Sequence, residues 1–307
     1  MENELVSPPT FFHKPVLVNE VLEYLDPQAG KIYLDVTFGS GGHSRAILEK
    51  EPACKLFALD WDVISLDTYA PLLEKEFGDR FHVIFGSFSH LYKILKKKKI
   101  PKIDGILADF GTSQMQIIER PGFSVFRDKP LDMRMSPQHH KITAADILNR
   151  ADERELCEIF WEFGEEKYTR KIARAIVEER GKKKFQTTSQ LVSLIERVVP
   201  GPIKRYKIHP ATRVFQALRI VVNKELDNIR AFLPAALKAL APGGRLVCIS
   251  FHSLEDRLVK QFFREQEQMG IVRVLTKKVV GPSDEEKEAN PASRSAKLRA
   301  IELIGVD

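Results

Sequence analysis

Apolar positions along the chain follow two rhythms, and the change from one to the other divides it into three stretches. From Pro15, Leu17, Val21 and Leu25 fall on one face of a predicted helix. Four apolar runs follow, KIYLDV, KLFALD, FHVIFG and DGILADFG, separated by segments long enough for helices. Strands that are apolar at consecutive rather than alternate positions are buried on both faces, which predicts a parallel sheet covered by helices on both sides. After Gly111 the pattern becomes helices joined by loops, and no segment between Ile117 and Lys207 reads as a strand. Asp152 with Glu155 makes a capping-box start, Leu156, Ile159, Phe160 and Phe163 follow at helical spacing, and Gly164 is placed to stop the helix. Ile172, Ile176 and Val177 mark a second helix before Gly181, and Leu191, Leu194, Ile195 and Val198 a third before Pro200. HPATR sets Pro210 early in a long helix with Phe215, Leu218, Val222, Leu226 and Ile229 on one buried stripe. The strand–helix rhythm returns with GGRLVCISFH, Gly243 to His252, the helix SLEDRLVKQFF, and terminal strands near Ile271 to Val280 and Leu298 to Ile304. The predicted class is α/β: a Rossmann-like sheet from residues 1–114 and 223–307, with a helical domain inserted at 115–222.

Composition narrows this picture only slightly. A chain of 307 residues accommodates one large domain with a second inserted, and 48 Lys+Arg against 42 Asp+Glu give a net charge of +6, which suits a polyanionic partner without specifying one. Cys54, Cys157 and Cys248 lie far apart with no C-x-x-C pair, so they read as reduced core thiols. His139 and His140 have no acidic or cysteine partner at ligand spacing, and no metal site is expected. With no long apolar segment, and with MENELVSPPTFF lacking the regions of a signal peptide, the expected location is cytoplasmic, without a membrane.

The chemistry starts at YLDVTFGSGGHS, Tyr33 to Ser44, a strand running into a glycine-rich turn. Gly39, Gly41 and Gly42 allow a sharp turn and close backbone approach to a ligand, and His43 and Ser44 open the next helix. The turn lacks the Gly-Lys-Ser/Thr ending of a P-loop, which argues against a nucleoside triphosphatase, and G-x-G-G departs from the dinucleotide pattern G-x-G-x-x-G. It resembles the first motif of S-adenosylmethionine-dependent methyltransferases. Asp60, closing the next strand, is spaced to accept both ribose hydroxyls of an adenosine, while Asp62 is the better placed helix cap. Phe88, after the third strand, is either a packing face for adenine or a core residue. Asp109, after the fourth, stands where amino-methyltransferases carry an Asp/Asn-Pro-Pro-Tyr-like motif that receives the target amine, although here Phe-Gly-Thr-Ser follows.

From His13 onward the chain resembles the bacterial ribosomal-RNA small-subunit methyltransferase H family, the MraW type. The resemblance runs through HKPVLVNEVL, DVTFGSGGHS, GSFSHL, GILADFGTSQMQ, PGFSVFRDKPLDMRM, AADIL, FGEEKYTRKIARAIV, HPATRVFQALRIVVNKEL, APGGRLVCISFHSLEDRLVKQFF and NPASRSAKLR. It implies a class I S-adenosyl-L-methionine methyltransferase fold. It also implies methyl transfer to the N4 amine of one cytosine in 16S rRNA of the small ribosomal subunit, near the decoding centre. The family pattern further implies that the cofactor is held at Gly41, Gly42, His43, Asp60, Phe88, Asp109 and Gln116. The family's Ser-Pro-Gln is Gln114, Met115 and Gln116 in this chain, which leaves that loop without its proline constraint.

Beside that resemblance, ERPGFSVFRDKPLDMRM interleaves Arg120, Arg127, Lys129 and Arg134 with Phe123 and Phe126, a mix that suits phosphates and unpaired bases. The competing reading is a surface loop pinned by two buried phenylalanines. Arg213 and Arg219 are candidates for RNA contact or for salt bridges, and His252 for orienting the base or for a loop hydrogen bond. Lys96 to Lys99 and Lys182 to Lys184 read as solvated helix ends. Asp109 is the candidate acceptor for the amine, with holding the cofactor's methionine end as its other reading. A small-molecule or DNA methyltransferase and a non-catalytic RNA-binding module are the competing classes. The long insert and basic aromatic loop favour a large RNA, and the intact glycine turn with both strand-end acids favours an active enzyme.

Overall fold

A computed structural model describes residues 14–111, 120–201 and 208–305. The chain forms two compact units, one from Met1–Ser113 with Asn228–Asp307 and one from Gln114–Asp227.

The first unit holds a seven-stranded sheet in the order β3-β2-β1-β4-β5-β7-β6. The strands are β1 (Ile32–Asp35), β2 (Lys55–Asp60), β3 (Phe81–Phe85), β4 (Ile103–Asp109), β5 (Leu240–Ser250), β6 (Val272–Val274) and β7 (Lys297–Leu303). Neighbours from β3 through β5 pair parallel, and β7 runs antiparallel to both β5 and β6. The order reverses between β1 and β4, and in such sheets ligands bind beyond the carboxyl ends of the strands at that point. Both sheet faces are covered, as the uniformly apolar strands predict. Leu34 and Val36 join Phe232, Leu233, Val259 and Phe263 in one core. Tyr33, beside Leu34 on the strand, points the other way, toward Gly105, where an added Cβ would lie 2.7 Å from its ring and 2.9 Å from Leu25.

The second unit packs the helices Ala144–Arg150, Glu153–Gly164, Thr169–Arg180, Thr188–Val198 and Ala211–Asn223 around a core that includes Leu156, Phe160, Ile172, Ile176, Leu191, Leu194, Phe215 and Leu218. The predicted capping box is present: Glu155 N–H donates to Asp152 Oδ1 at 2.8 Å, and Asp152 N–H to Glu155 Oε2 at 2.9 Å.

Several expectations change in detail. The helix read from Pro15 spans Val18–Leu25, with Leu17 before it at φ 53°. The strand read over Ile271 to Val280 shortens to Val272–Val274, with one further bridge from Val280 to Leu298. The long HPATR helix breaks at Lys224, φ 52°, into Ala211–Asn223 and Glu225–Ala239. Just before the break, fully buried Asn223 donates from its side chain to the Met133 carbonyl (2.8 Å) and accepts from Met135 N–H (2.7 Å). Gly164 is the last helical residue and the left-handed stop falls at Glu165, φ 48°; a Cβ on Gly164 would sit 2.6 Å from the Arg213 carbonyl oxygen, so the glycine permits the close approach of Glu153–Gly164 and Ala211–Asn223.

Candidate active site

β1 ends in Asp35, which is fully buried, and three groups around it organise the turn. Ser44 Oγ donates to Asp35 Oδ2 at 2.8 Å, and Thr37 N–H donates to Oδ1 at 3.0 Å. Burial pushes the Asp35 carboxyl up, while His43 and the Ser44 hydroxyl oppose the shift. Thr37 also reaches the next strand, because its Oγ1 accepts the backbone N–H of Asp109 at 2.8 Å. Thr37 thus ties the end of β1 to the end of β4 at the reversal of strand order.

Gly39 and Gly41 adopt φ 54° and 81°, a left-handed conformation that glycine takes without a Cβ penalty. The motif alone points to ligand approach as the reason for the glycines, but internal packing already requires two of them. A Cβ on Gly41 would meet the Phe38 ring at 2.8 Å and Leu73 at 3.2 Å, and one on Gly42 would meet Pro15 at 2.9 Å.

Asp60, half-buried at the end of β2, accepts the N–H of Gly39 at 2.8 Å on one oxygen and that of Asp62 at 2.9 Å on the other. Each oxygen keeps a second lone pair, the capacity that two ribose hydroxyls require. Burial pushes its carboxyl up to about 6, against the two backbone hydrogen bonds that stabilise the charged form. Asp62 caps the helix Val63–Phe77 by accepting from Ile64 N–H at 3.1 Å, as expected from sequence. Phe88 divides its surface between the two sequence readings. It is half-buried and packs against Phe232 and Phe110, with ring centroids 5.5 and 5.8 Å away, and also meets Trp61 at 6.5 Å.

Asp109 closes β4 with one oxygen, Oδ1, buried and without a hydrogen-bond partner among the described residues. Its other oxygen lies 3.8 Å from His43 Nδ1. Burial pushes this carboxyl up to about 6, with His43 opposing and the negative charges of Asp35 and Glu255 adding to the rise. A buried acceptor left open costs roughly 1–3 kcal/mol, a cost that a donor from a ligand would relieve. Gln116 lies outside the described residues. The structure therefore brings together Gly41, Gly42, His43, Asp60, Phe88 and Asp109 in the first unit. It adds Thr37, Ser44 and Trp61, which sit inside or beside the quoted motifs but show no chemical signal before their contacts are known.

The candidate substrate residues differ from one another. Arg127 and Lys129 are exposed, whereas Arg134 forks onto Asp132 with two contacts of 2.7 Å and donates to the His140 carbonyl. That pairing raises the Arg134 guanidinium pKa and anchors it within the loop. Arg213 donates to the Glu165 carbonyl at 3.1 Å, and Arg219 forms a bidentate pair with Glu225 at 2.8 and 3.0 Å. His252 is the N-cap of the helix Ser253–Gln268: Nδ1 accepts from Glu255 N–H at 3.5 Å, and Nε2 lies 3.2 Å from Glu255 Oε1.

Residues 10–304 match the model of the MraW methylase family. A "Ribosomal RNA small subunit methyltransferase H" of Thermotoga neapolitana is 50% identical, over 96% of this chain and 97% of its own length. Proteins with the same name from Carboxydothermus hydrogenoformans and a Sulfurihydrogenibium species are each 47% identical, over 96% and 94% of this chain and 98% and 97% of their own lengths. The chain belongs to the MraW methylase family.

Proposed function

We propose that this protein transfers a methyl group from S-adenosyl-L-methionine to the N4 amine of one cytosine in the 16S rRNA of the small ribosomal subunit, near the decoding centre. As a member of a methylase family whose relatives bear a ribosomal RNA methyltransferase name along nearly their whole length, it is an S-adenosylmethionine-dependent rRNA methyltransferase. The cytosine amine is what the family resemblance implies, and the orphaned Oδ1 of Asp109 at the carboxyl end of β4 supports an N–H-bearing substrate there.

The residues fit an adenosine-bearing cofactor: Asp60 has acceptor capacity for the ribose hydroxyls, Phe88 offers a half-exposed aromatic surface, and the turn through Gly41, Gly42 and His43 borders the switch point. When bound, the cofactor supplies a sulfonium-activated methyl group. The protein's task is then to hold a weak nucleophile in line. The N4 lone pair of cytosine is conjugated into its ring. Asp109 Oδ1, ionised, accepts an N–H of that amine and stabilises the positive charge that develops on nitrogen. The target base must be unpaired or extruded for its amine to reach such a site. A ribosomal RNA substrate supports a cytoplasmic location, and among the described residues no helix is long and apolar enough to cross a membrane.

The test is to incubate the protein with isotopically labelled cofactor and, separately, with small subunits, naked 16S rRNA and DNA from an unmethylated source. Mass spectrometry of the nucleosides should show N4-methylcytidine from the ribosomal substrate alone. A label on another nucleoside, or only on DNA, overturns the assignment.

A further inference from the structure

We propose that Phe126 is a stacking platform for an unpaired base of the RNA substrate, an inference that rests on the function proposed above. Phe126 is 82% exposed, although its residue type suits a phenylalanine that pins the loop from inside. Other residues do the pinning: Leu131 and Met133 are buried in the helical core, and Val125 packs against it.

The segment around Phe126 is nonetheless held at several points. Thr188 Oγ1 donates to the Arg127 carbonyl at 2.7 Å and accepts the Lys129 N–H at 3.0 Å, while Thr188 N–H donates to the Lys129 carbonyl at 2.9 Å. Asp128, the acid between the two cations, accepts Ser189 N–H at 3.2 Å in the first turn of the helix Thr188–Val198. The Phe126 and His209 rings meet nearly at right angles, with a centroid distance of 5.7 Å and an interplanar angle of 78°. His209 is itself fixed, since Nδ1 accepts Ala211 N–H at 3.2 Å and Nε2 therefore donates to Glu196 Oε1 at 3.0 Å.

An exposed aromatic ring contributes little to folding, yet this one has a fixed backbone, a perpendicular contact with His209 and exposed Arg127 and Lys129 beside it. Aromatic faces flanked by cations recognise single-stranded nucleic acid, because every base has a π-face and every nucleotide a phosphate. The braced ring loses little freedom on binding, which leaves more of the stacking energy as affinity.

Wild type, Phe126→Ala, Phe126→Leu and Phe126→Trp, titrated with unmethylated small subunits, test the proposal. Phe126→Ala and Phe126→Leu should each bind about tenfold more weakly, with an unchanged salt slope, thermal midpoint and cofactor affinity. Phe126→Trp should restore binding, and its fluorescence, taken as the difference from wild type with Trp61 and Trp161, should be quenched by RNA. Wild-type affinity in Phe126→Ala, or no quenching in Phe126→Trp, overturns the proposal. Failure of the function proposed above shows separately, as wild-type protein that binds subunits without methylating their RNA.

Discussion

Asp109 and His43 face one another across 3.8 Å at the carboxyl end of the sheet. His43 Nε2 lies 2.8 Å from the Val16 carbonyl oxygen, which can only accept, so Nε2 carries the hydrogen. A neutral His43 therefore turns the lone pair of Nδ1 toward Asp109. An ionised Asp109 and that lone pair repel one another across the gap.

The activity of the protein should accordingly rise with pH through about 6, the value to which burial pushes Asp109, because only the ionised carboxyl accepts from the amine. Asp109→Asn should remove that limb of the kcat profile and lower single-turnover rates about a hundredfold. His43→Ala, which removes the group that opposes the rise, should move the limb to higher pH. Single-turnover rates between about pH 5 and 8 check all three. An unchanged rate in Asp109→Asn would make that residue a bystander.

Stability should run in the opposite sense to activity. A carboxyl whose folded pKa is raised from 3.8 to about 6 binds its proton more tightly in the folded state, so its contribution to stability declines as pH rises across that window and is constant above it. Asp109→Asn, lacking the desolvated charge, should melt at or above the wild-type temperature at about pH 7.5, and most of the difference should vanish near about pH 4. Calorimetric melts at the two pH values measure it.

Asp60→Ala should weaken S-adenosylmethionine binding by about ten- to a hundredfold, the value of hydrogen bonds to a charged group. It should also lower the thermal midpoint, because the N–H groups of Gly39 and Asp62 lose their acceptors. Titration calorimetry on the folded variant giving wild-type affinity would remove Asp60 from the cofactor site.

Gly41→Ala should destabilise the fold by about 1–3 kcal/mol from backbone strain at φ 81°. A further cost should come from the steric clash with Phe38 at 2.8 Å. Combining it with Phe38→Leu should recover only the steric component, so the double variant should be more stable than the sum of the single changes predicts. Chemical denaturation of the four proteins gives the coupling energy; strict additivity would mean that the ring yields freely.

Within the basic loop, Arg127→Gln and Lys129→Gln should each flatten the dependence of RNA affinity on salt by about 0.7 to 0.9 log units for each phosphate that is no longer neutralised. Arg134→Gln should instead lower thermal stability and leave the salt slope unchanged, because its guanidinium is paired to Asp132. A reduced slope in Arg134→Gln would show that this pair opens to meet RNA.

The sequence by itself determined what local chemistry governs. Apolar runs located β1 to β5, since burial on both faces demands consecutive apolar residues, and Asp62, Asp152 and Glu155 marked helix starts because a cap needs only its own next turn. Asp60 and Asp109 were legible as strand-end acids for the same reason, and ordered motifs along the chain carried the family resemblance. Tertiary structure alone decided the reasons for particular residues. Gly41, Gly42 and Gly164 answer to Phe38, Pro15 and the Arg213 carbonyl, Lys224 breaks a helix that the apolar stripe carries through, and Asn223 hydrogen-bonds to Met133 and Met135. Thr37 joins β1 to β4, Arg134 is committed to Asp132, and Phe126 lies exposed where its residue type suits burial. Each of these depends on which atoms the folded backbone brings within a few ångströms, and a one-dimensional pattern of polar and apolar positions carries no such distances.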